Sequence, residues 1–223
     1  GVGAGNVPAY INKSADVEQA VNDIVISKSF DNGMICASEQ AVIIDKEIYT
    51  EACDLFKRFK VYFASKKEKA LLEKFMFGVE ANTENVNQAR LNPWIVGKKP
   101  SDIAKEAGFE VPEETSIIAV EIKEVGPNEP LSREKLSPVL AVLKSKDTAE
   151  GFKFASEMVN FNGLGHSAAV HCKTQEMADE FGKACKAMRI IWNSPSTFGG
   201  IGNVYNSFLP SLTLGCGSYG RNS

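Results

Sequence analysis

Short runs of branched apolar residues alternate with stretches of helical periodicity along this chain, and that alternation constrains the fold more than any other feature. Val7-Pro8-Ala9-Tyr10-Ile11, Ala41-Val42-Ile43-Ile44, Ile117 to Val125, Val139 to Lys144, Ala168 to Cys172 and Arg189 to Trp192 have the length and composition of strands. Between the first two, Val17, Ala20, Val21, Ile24 and Val25 recur at helical spacing over Asp16 to Ser29, with Ser14 or Asp16 placed to cap the amino end. Glu47 to Phe59, Lys66 to Phe77, Pro100 to near Gly108, Thr148 to Phe161 and Thr174 to Met188 read as further helices. Strands that alternate with helices predict an α/β fold, a mainly parallel sheet flanked by helices. Asn162-Gly163 reads as a left-handed helix stop. Pro93 to Lys99, Leu131 to Pro138 and the Gly-, Ser- and Asn-rich tail from Ser194 read as loops.

Composition narrows the partners. With 223 residues and 43% hydrophobic content the chain can bury a core of its own. A net charge of -3, with lysines interleaved among glutamates as in Lys66-Lys67-Glu68-Lys69, offers no broad positive field for phosphates, so no nucleic acid partner is expected. No apolar run approaches the ~20 residues that span a bilayer, so no membrane partner is expected either. The start at Gly1 lacks both an initiating Met and a signal-peptide layout and reads as a cut made inside a longer protein. Five cysteines, at 36, 53, 172, 185 and 216, are odd in number and contain no close Cys-x-x-Cys pair. Neither a disulfide framework nor a metal site is indicated, and a reducing cytoplasm fits.

A thiol becomes a nucleophile when its thiolate is favoured, which calls for partial exposure and nearby N–H dipoles. Cys36 has that setting. Asp31-Asn32-Gly33 breaks the preceding helix, because Asn and Gly tolerate positive φ, and small polar neighbours follow in Ala37-Ser38-Glu39-Gln40. An isolated cysteine is more often a small buried hydrophobe. Cys53, beside Leu55 and Phe56, reads that way, as do Cys172 and Cys185, and Cys216 reads as structural. His171, inside a strand, reads as a hydrogen-bonded structural histidine. Gly1-Val2-Gly3-Ala4-Gly5 lacks the spacing of a dinucleotide fingerprint and leads into Pro8 and a strand rather than a helix.

The segment Lys28-Ser29-Phe30-Asp31-Asn32-Gly33-Met34-Ile35-Cys36-Ala37-Ser38-Glu39-Gln40 resembles the active-site segment of CoA-acylating aldehyde dehydrogenases. It is most similar to the acetaldehyde dehydrogenase half of bifunctional aldehyde-alcohol dehydrogenases. Glu134-Lys135-Leu136-Ser137-Pro138, Gly163-Leu164-Gly165-His166-Ser167 and Pro210 to Ser218 agree in the same order, so the likeness covers essentially the whole chain. It implies the catalytic domain of the aldehyde dehydrogenase fold over residues 1–223, with the upstream cofactor-binding half absent. It implies Cys36 as the nucleophile, its backbone N–H as one oxyanion donor, NAD as cofactor and CoA as co-substrate. Glu134, which on charge pattern alone is a solvated surface glutamate, takes the place of the glutamate that holds the nicotinamide ribose. The familiar form of that motif has Phe-Gly-Pro where this chain has Leu136-Ser137-Pro138. His166 is the group expected to assist CoA or orient the thioester, against the plainer reading of a histidine that hydrogen-bonds a loop.

The resemblance also implies a small aldehyde, probed first as acetaldehyde, and a homo-oligomer or filament in the full-length parent. Hydrolytic relatives carry Glu-Leu-Gly-Gly where this chain reads Gly1-Val2-Gly3-Ala4. The water-activating carboxylate is thus missing, and Gly3 counts among the cofactor contacts. Two rival readings stand beside the acylating one. An assembly module would keep Cys36 inert and buried, and a hydrolytic enzyme would release acid rather than acyl-CoA.

Overall fold

The computed structural model describes residues 5–202, 206–207 and 209–210. Strands β1 (Val7–Ile11), β2 (Glu39–Asp45), β3 (Val61–Phe63), β4 (Ile117–Glu121), β5 (Val139–Ser145), β6 (Gly165–His171) and β7 (Ala187–Trp192) form one sheet in the order β3-β4-β5-β2-β1-β6-β7. Every adjacent pair is parallel. Helices α1 (Val17–Ser29), α2 (Tyr49–Arg58), α3 (Lys66–Phe77), α4 (Pro100–Ala107), α5 (Thr148–Asn162), α6 (Gln175–Ala184) and α7 (Ser196–Ile201) connect the strands. Among the described residues no helix is long and apolar enough to cross a membrane.

Side-chain alternation along each strand builds two cores. In β2, Ala41 and Ile43 join the helices α3 to α6 on one face, while Val42 and Ile44 join α1 and α2 on the other. Both Ile43 and Ile44 are fully buried, each worth about 1.5–3 kcal/mol of transfer free energy. A sheet covered on both faces needs continuous apolar strands, which is why these runs stand out in the sequence.

Strands β1 and β6 are neighbours whose exits lead to helices on opposite faces, the arrangement that usually opens a ligand crevice at the carboxyl ends. Here a polar cluster occupies the carboxyl ends of β1, β2 and β5. Asp45 accepts from Tyr10 Oη at 2.8 Å, Ser145 Oγ at 2.9 Å and the Lys13 N–H at 2.9 Å, and Asn12 Nδ2 bridges to Thr148. The cluster satisfies its own hydrogen-bonding groups at the carboxyl ends of β1, β2 and β5.

Asp16 caps α1 by accepting from the Gln19 N–H, and α3 begins and ends where its periodicity predicts. Several sequence expectations are corrected. Val61–Phe63 is an edge strand that three residues are too short to announce. β4 ends at Glu121 rather than Val125, and α6 ends at Ala184 so that β7 starts at Ala187. Gly163 is not left-handed, with φ -149°; positive φ falls at Gly165 instead, where the chain turns into β6. Ser196–Ile201 is a helix rather than loop.

Candidate active site at the amino edge

Because all strands run the same way, the residues that precede them gather at one edge. Gly5 precedes β1, Cys36 precedes β2, Glu134 precedes β5, and His166 is the second residue of β6. Residues far apart in sequence thus meet at the amino ends of the central strands, opposite the Asp45 cluster.

The turn that delivers Cys36 has three consecutive residues at positive φ: Asp31 at 49°, Asn32 at 50° and Gly33 at 68°. Asn32 Nδ2 donates to the Gly97 carbonyl at 3.0 Å, and Gly97 N–H donates to the Leu136 carbonyl, tying the turn to the 133–138 segment. A Cβ on Gly33 would stand 2.5 Å from the Ser137 carbonyl oxygen. Gly33→Ala is therefore expected to cost about 2–4 kcal/mol, from the backbone torsion and the overlap together. Chemical denaturation would register this as a lower midpoint; an unchanged midpoint would show that the turn relaxes freely.

Cys36 is half-buried, unlike Cys53, Cys172 and Cys185, which are buried with thiols pushed up by burial. Gly5 sits against it: a Cβ there would overlap the Cys36 carbonyl oxygen and lie 3.0 Å from His166 Nε2. The Gly5 N–H donates to Glu134 Oε1 at 2.8 Å. One backbone position therefore touches all three residues singled out from the sequence. Burial pushes the half-buried Glu134 carboxyl up, opposed by the Gly5 N–H and the charges of Lys28 and Lys135. A carboxylate has acceptor sites beyond the one Gly5 uses, so it fits a ribose hydroxyl pair.

His166 is fully buried. Its Nδ1 lies 3.1 Å from Ser167 Oγ and 3.5 Å from Arg189 Nη2, and Arg189 Nε donates to Ser167 Oγ at 2.9 Å. A guanidinium can only donate, which assigns Nδ1 as acceptor and places the imidazole proton on Nε2. That Nε2 has no hydrogen-bond partner among the described residues. Burial, aided by the Arg189 charge, pushes His166 down to about 4. That direction favours a neutral imidazole at physiological pH over the near-neutral proton exchanger expected from sequence.

His171 is also buried and pushed down to about 4 by burial, and its Nε2 has no described partner, so the hydrogen bond expected there is absent from that atom. Gly3 and Cys216 lie outside the described residues. Sequence reasoning missed Gly5, Arg189 and Ser167, and it did not single out the buried layer formed by Lys28, Glu39 and Gln40. Lys28 carried a signal: it falls on the apolar stripe of α1, four residues after Ile24, where a lysine is out of place. The helix α7 backs the site as well. Ser196 N–H donates to Glu39 Oε1 at 3.0 Å, Gly200 would clash with Ala37 if it carried a Cβ, and its carbonyl accepts from Arg189.

A half-buried thiol, a buried histidine and a carboxylate thus converge at the amino edge of a parallel α/β domain. Residues 3–204 match the aldehyde dehydrogenase family, and the chain belongs to it. It is 68% identical over all 223 residues to the aldehyde-alcohol dehydrogenase of Streptococcus pneumoniae and 57% identical to aldehyde-alcohol dehydrogenase 2 of Entamoeba histolytica. The chain spans 25% and 26% of the length of those two relatives. Among solved structures, the acetylating aldehyde dehydrogenase of Geobacillus thermoglucosidasius superposes with a TM-score of 0.90 at 40% identity, covering 100% of this chain and 47% of that one.

Proposed function

We propose that this chain is the thiol-bearing catalytic segment of a longer acylating aldehyde dehydrogenase. It interconverts a short-chain aldehyde, acetaldehyde first among candidates, plus CoA and NAD with acyl-CoA plus NADH. The observation that carries the reading is the meeting of Cys36, Glu134 and His166 around Gly5. The similarity to acetylating and bifunctional relatives supports it.

In this reading the Cys36 thiolate adds to the aldehyde carbon and forms the C–S bond of a thiohemiacetal. The nicotinamide supplies the hydride acceptor. Glu134 would hold the ribose hydroxyls of that cofactor, beside the carbon that Cys36 carries to the thioester level. CoA gives its thiol proton to solvent and attacks the thioester carbon as the thiolate, and the Cys36 thiolate leaves. His166 Nε2–H donates to the carbonyl oxygen of that thioester. Negative charge builds on this oxygen when the Cys36 thiolate adds to the aldehyde and again when CoA attacks the thioester, but is partly lost as hydride departs, so loss of the histidine weighs more on acyl transfer than on NADH formation.

Two measurements on the full-length enzyme test this. Intact-protein mass spectrometry after acyl-CoA treatment should find a labile thioester on the Cys36 peptide. In pre-steady-state mixing, His166→Ala should slow CoA-dependent turnover about 10²-fold while leaving most of the initial NADH burst. Equal slowing of both phases removes His166 from acyl transfer. Rapid acid release without CoA, or a thioester on another cysteine, overturns the function itself.

A further inference from the structure

The His166 ring is held on its Nδ1 side, away from Gly5, by a side chain that the proposed chemistry does not use. Arg189 on β7 pairs in register with Ser167 on β6, which brings its half-buried side chain beside the Ser167 hydroxyl. Arg189 Nε donates to Ser167 Oγ at 2.9 Å and Nη2 donates to His166 Nδ1 at 3.5 Å, so the Nε–Nη2 edge of the guanidinium serves both residues. The third nitrogen, Nη1, donates to the Gly200 carbonyl at 3.3 Å. Gly200 lies on α7, and the start of that helix is itself pinned. Thr197 N–H donates to Ser27 Oγ at 2.9 Å, and Ser196 N–H donates to Glu39 Oε1 at 3.0 Å. The guanidinium is thereby anchored to α7 at one nitrogen and presents the other two to the residues around the imidazole.

Ser167 Oγ accepts from Arg189, which leaves its own proton for His166 Nδ1 at 3.1 Å. Two donors therefore meet Nδ1, and its lone pair must face them. Without the guanidinium the hydroxyl can turn and accept from an Nδ1–H instead. The ring can then present a lone pair rather than an N–H on the side that faces Gly5. A planar fork suits this task, whereas the single nitrogen of a lysine cannot meet three acceptors spread over β6 and α7. We propose that Arg189 is a positioning residue for acyl transfer: spanning Ser167, His166 and the Gly200 carbonyl, its guanidinium keeps the His166 ring fixed as an Nε2–H donor. The inference rests on the donor role proposed for His166.

The experiment is a double-mutant cycle in the full-length enzyme, with wild type, Arg189→Met, His166→Ala and the double variant. Pre-steady-state mixing follows the NADH burst and the CoA-dependent turnover of each. Arg189→Met alone should slow CoA-dependent turnover about 10-fold and leave most of the burst, a smaller loss than that of His166→Ala because the ring is still present. In the His166→Ala background the same change should slow turnover less than about twofold, since the group that Arg189 holds is gone. A purely structural arginine would slow turnover by the same factor in both backgrounds. That result, or wild-type turnover in Arg189→Met, overturns the inference while leaving His166 in its role. If His166→Ala itself turns over CoA as wild type does, the donor reading falls and the inference falls with it. Should Arg189→Met not accumulate as folded protein, Arg189→Lys takes its place in the cycle. It keeps the charge but not the fork, and the same non-additivity with His166→Ala is expected.

Discussion

Cys36→Ser in the full-length enzyme is expected to lower acyl transfer by about 10³-fold or more while leaving the fold intact. The hydroxyl of a serine is hardly ionised at neutral pH, far less so than a thiol. His166 offers an N–H rather than a lone pair on the side that faces Gly5, as its contacts with Ser167 and Arg189 require. The exchange of sulfur for oxygen at a half-buried site opens no large cavity, so the thermal midpoint should stay close to that of the wild type. Steady-state rates, together with loss of the labile thioester by mass spectrometry, check the expectation. Turnover retained within tenfold would mean that another residue carries the acyl group. The buried Cys53, Cys172 and Cys185 make poor substitutes, since burial pushes their thiols up, Cys185 to about 12.

Much of the sheet was legible because burial on both faces leaves strands such as Ala41-Val42-Ile43-Ile44 without polar interruptions. Helices α1 and α3 were legible because their apolar faces keep a regular period. The elements that escaped are those made by tertiary contacts. Ser196-Thr197-Phe198-Gly199-Gly200 contains few good helix formers. It holds as α7 because Thr197 pairs with Ser27 and Ser196 with Glu39, more than 150 residues away, at sequence separations of 170 and 157. The site divides in the same way. Cys36 announces itself through a local turn, Asp31-Asn32-Gly33, whose residues tolerate positive φ. Glu134 does not, since the Gly5 N–H that holds it lies at a separation of 129 residues. The surroundings of His166 were illegible for a related reason: Arg189, which lies 3.5 Å from Nδ1, comes from the neighbouring strand β7.

Gly5→Ala should be nearly as damaging as loss of the thiol, although it deletes no reactive atom. Its Cβ would overlap the Cys36 carbonyl oxygen and press on His166 Nε2 at 3.0 Å, while the adjacent N–H is the anchor of Glu134. Neither neighbour is the far end of a flexible side chain. The Cys36 carbonyl belongs to a backbone pinned by the Asn32 contact to Gly97, and His166 is fully buried and held by Ser167. The added methyl must therefore move the backbone that carries the nucleophile, the donor and the carboxylate relative to one another. Overpacking of this kind costs about 1–3 kcal/mol in stability. A displacement near 1 Å at reacting groups lowers rates on the order of 10²-fold. Gly182→Ala is the matching control, because its Cβ would meet Ile190 at an ordinary 3.4 Å, far from these residues in the fold. Parallel thermal melts and kcat/KM measurements on the full-length variants should show a loss of catalysis in Gly5→Ala out of proportion to its loss of stability, with little change in Gly182→Ala. Wild-type turnover in Gly5→Ala would mean that the amino edge adapts without disturbing Cys36, and that the close approach of Gly5 is incidental to the chemistry.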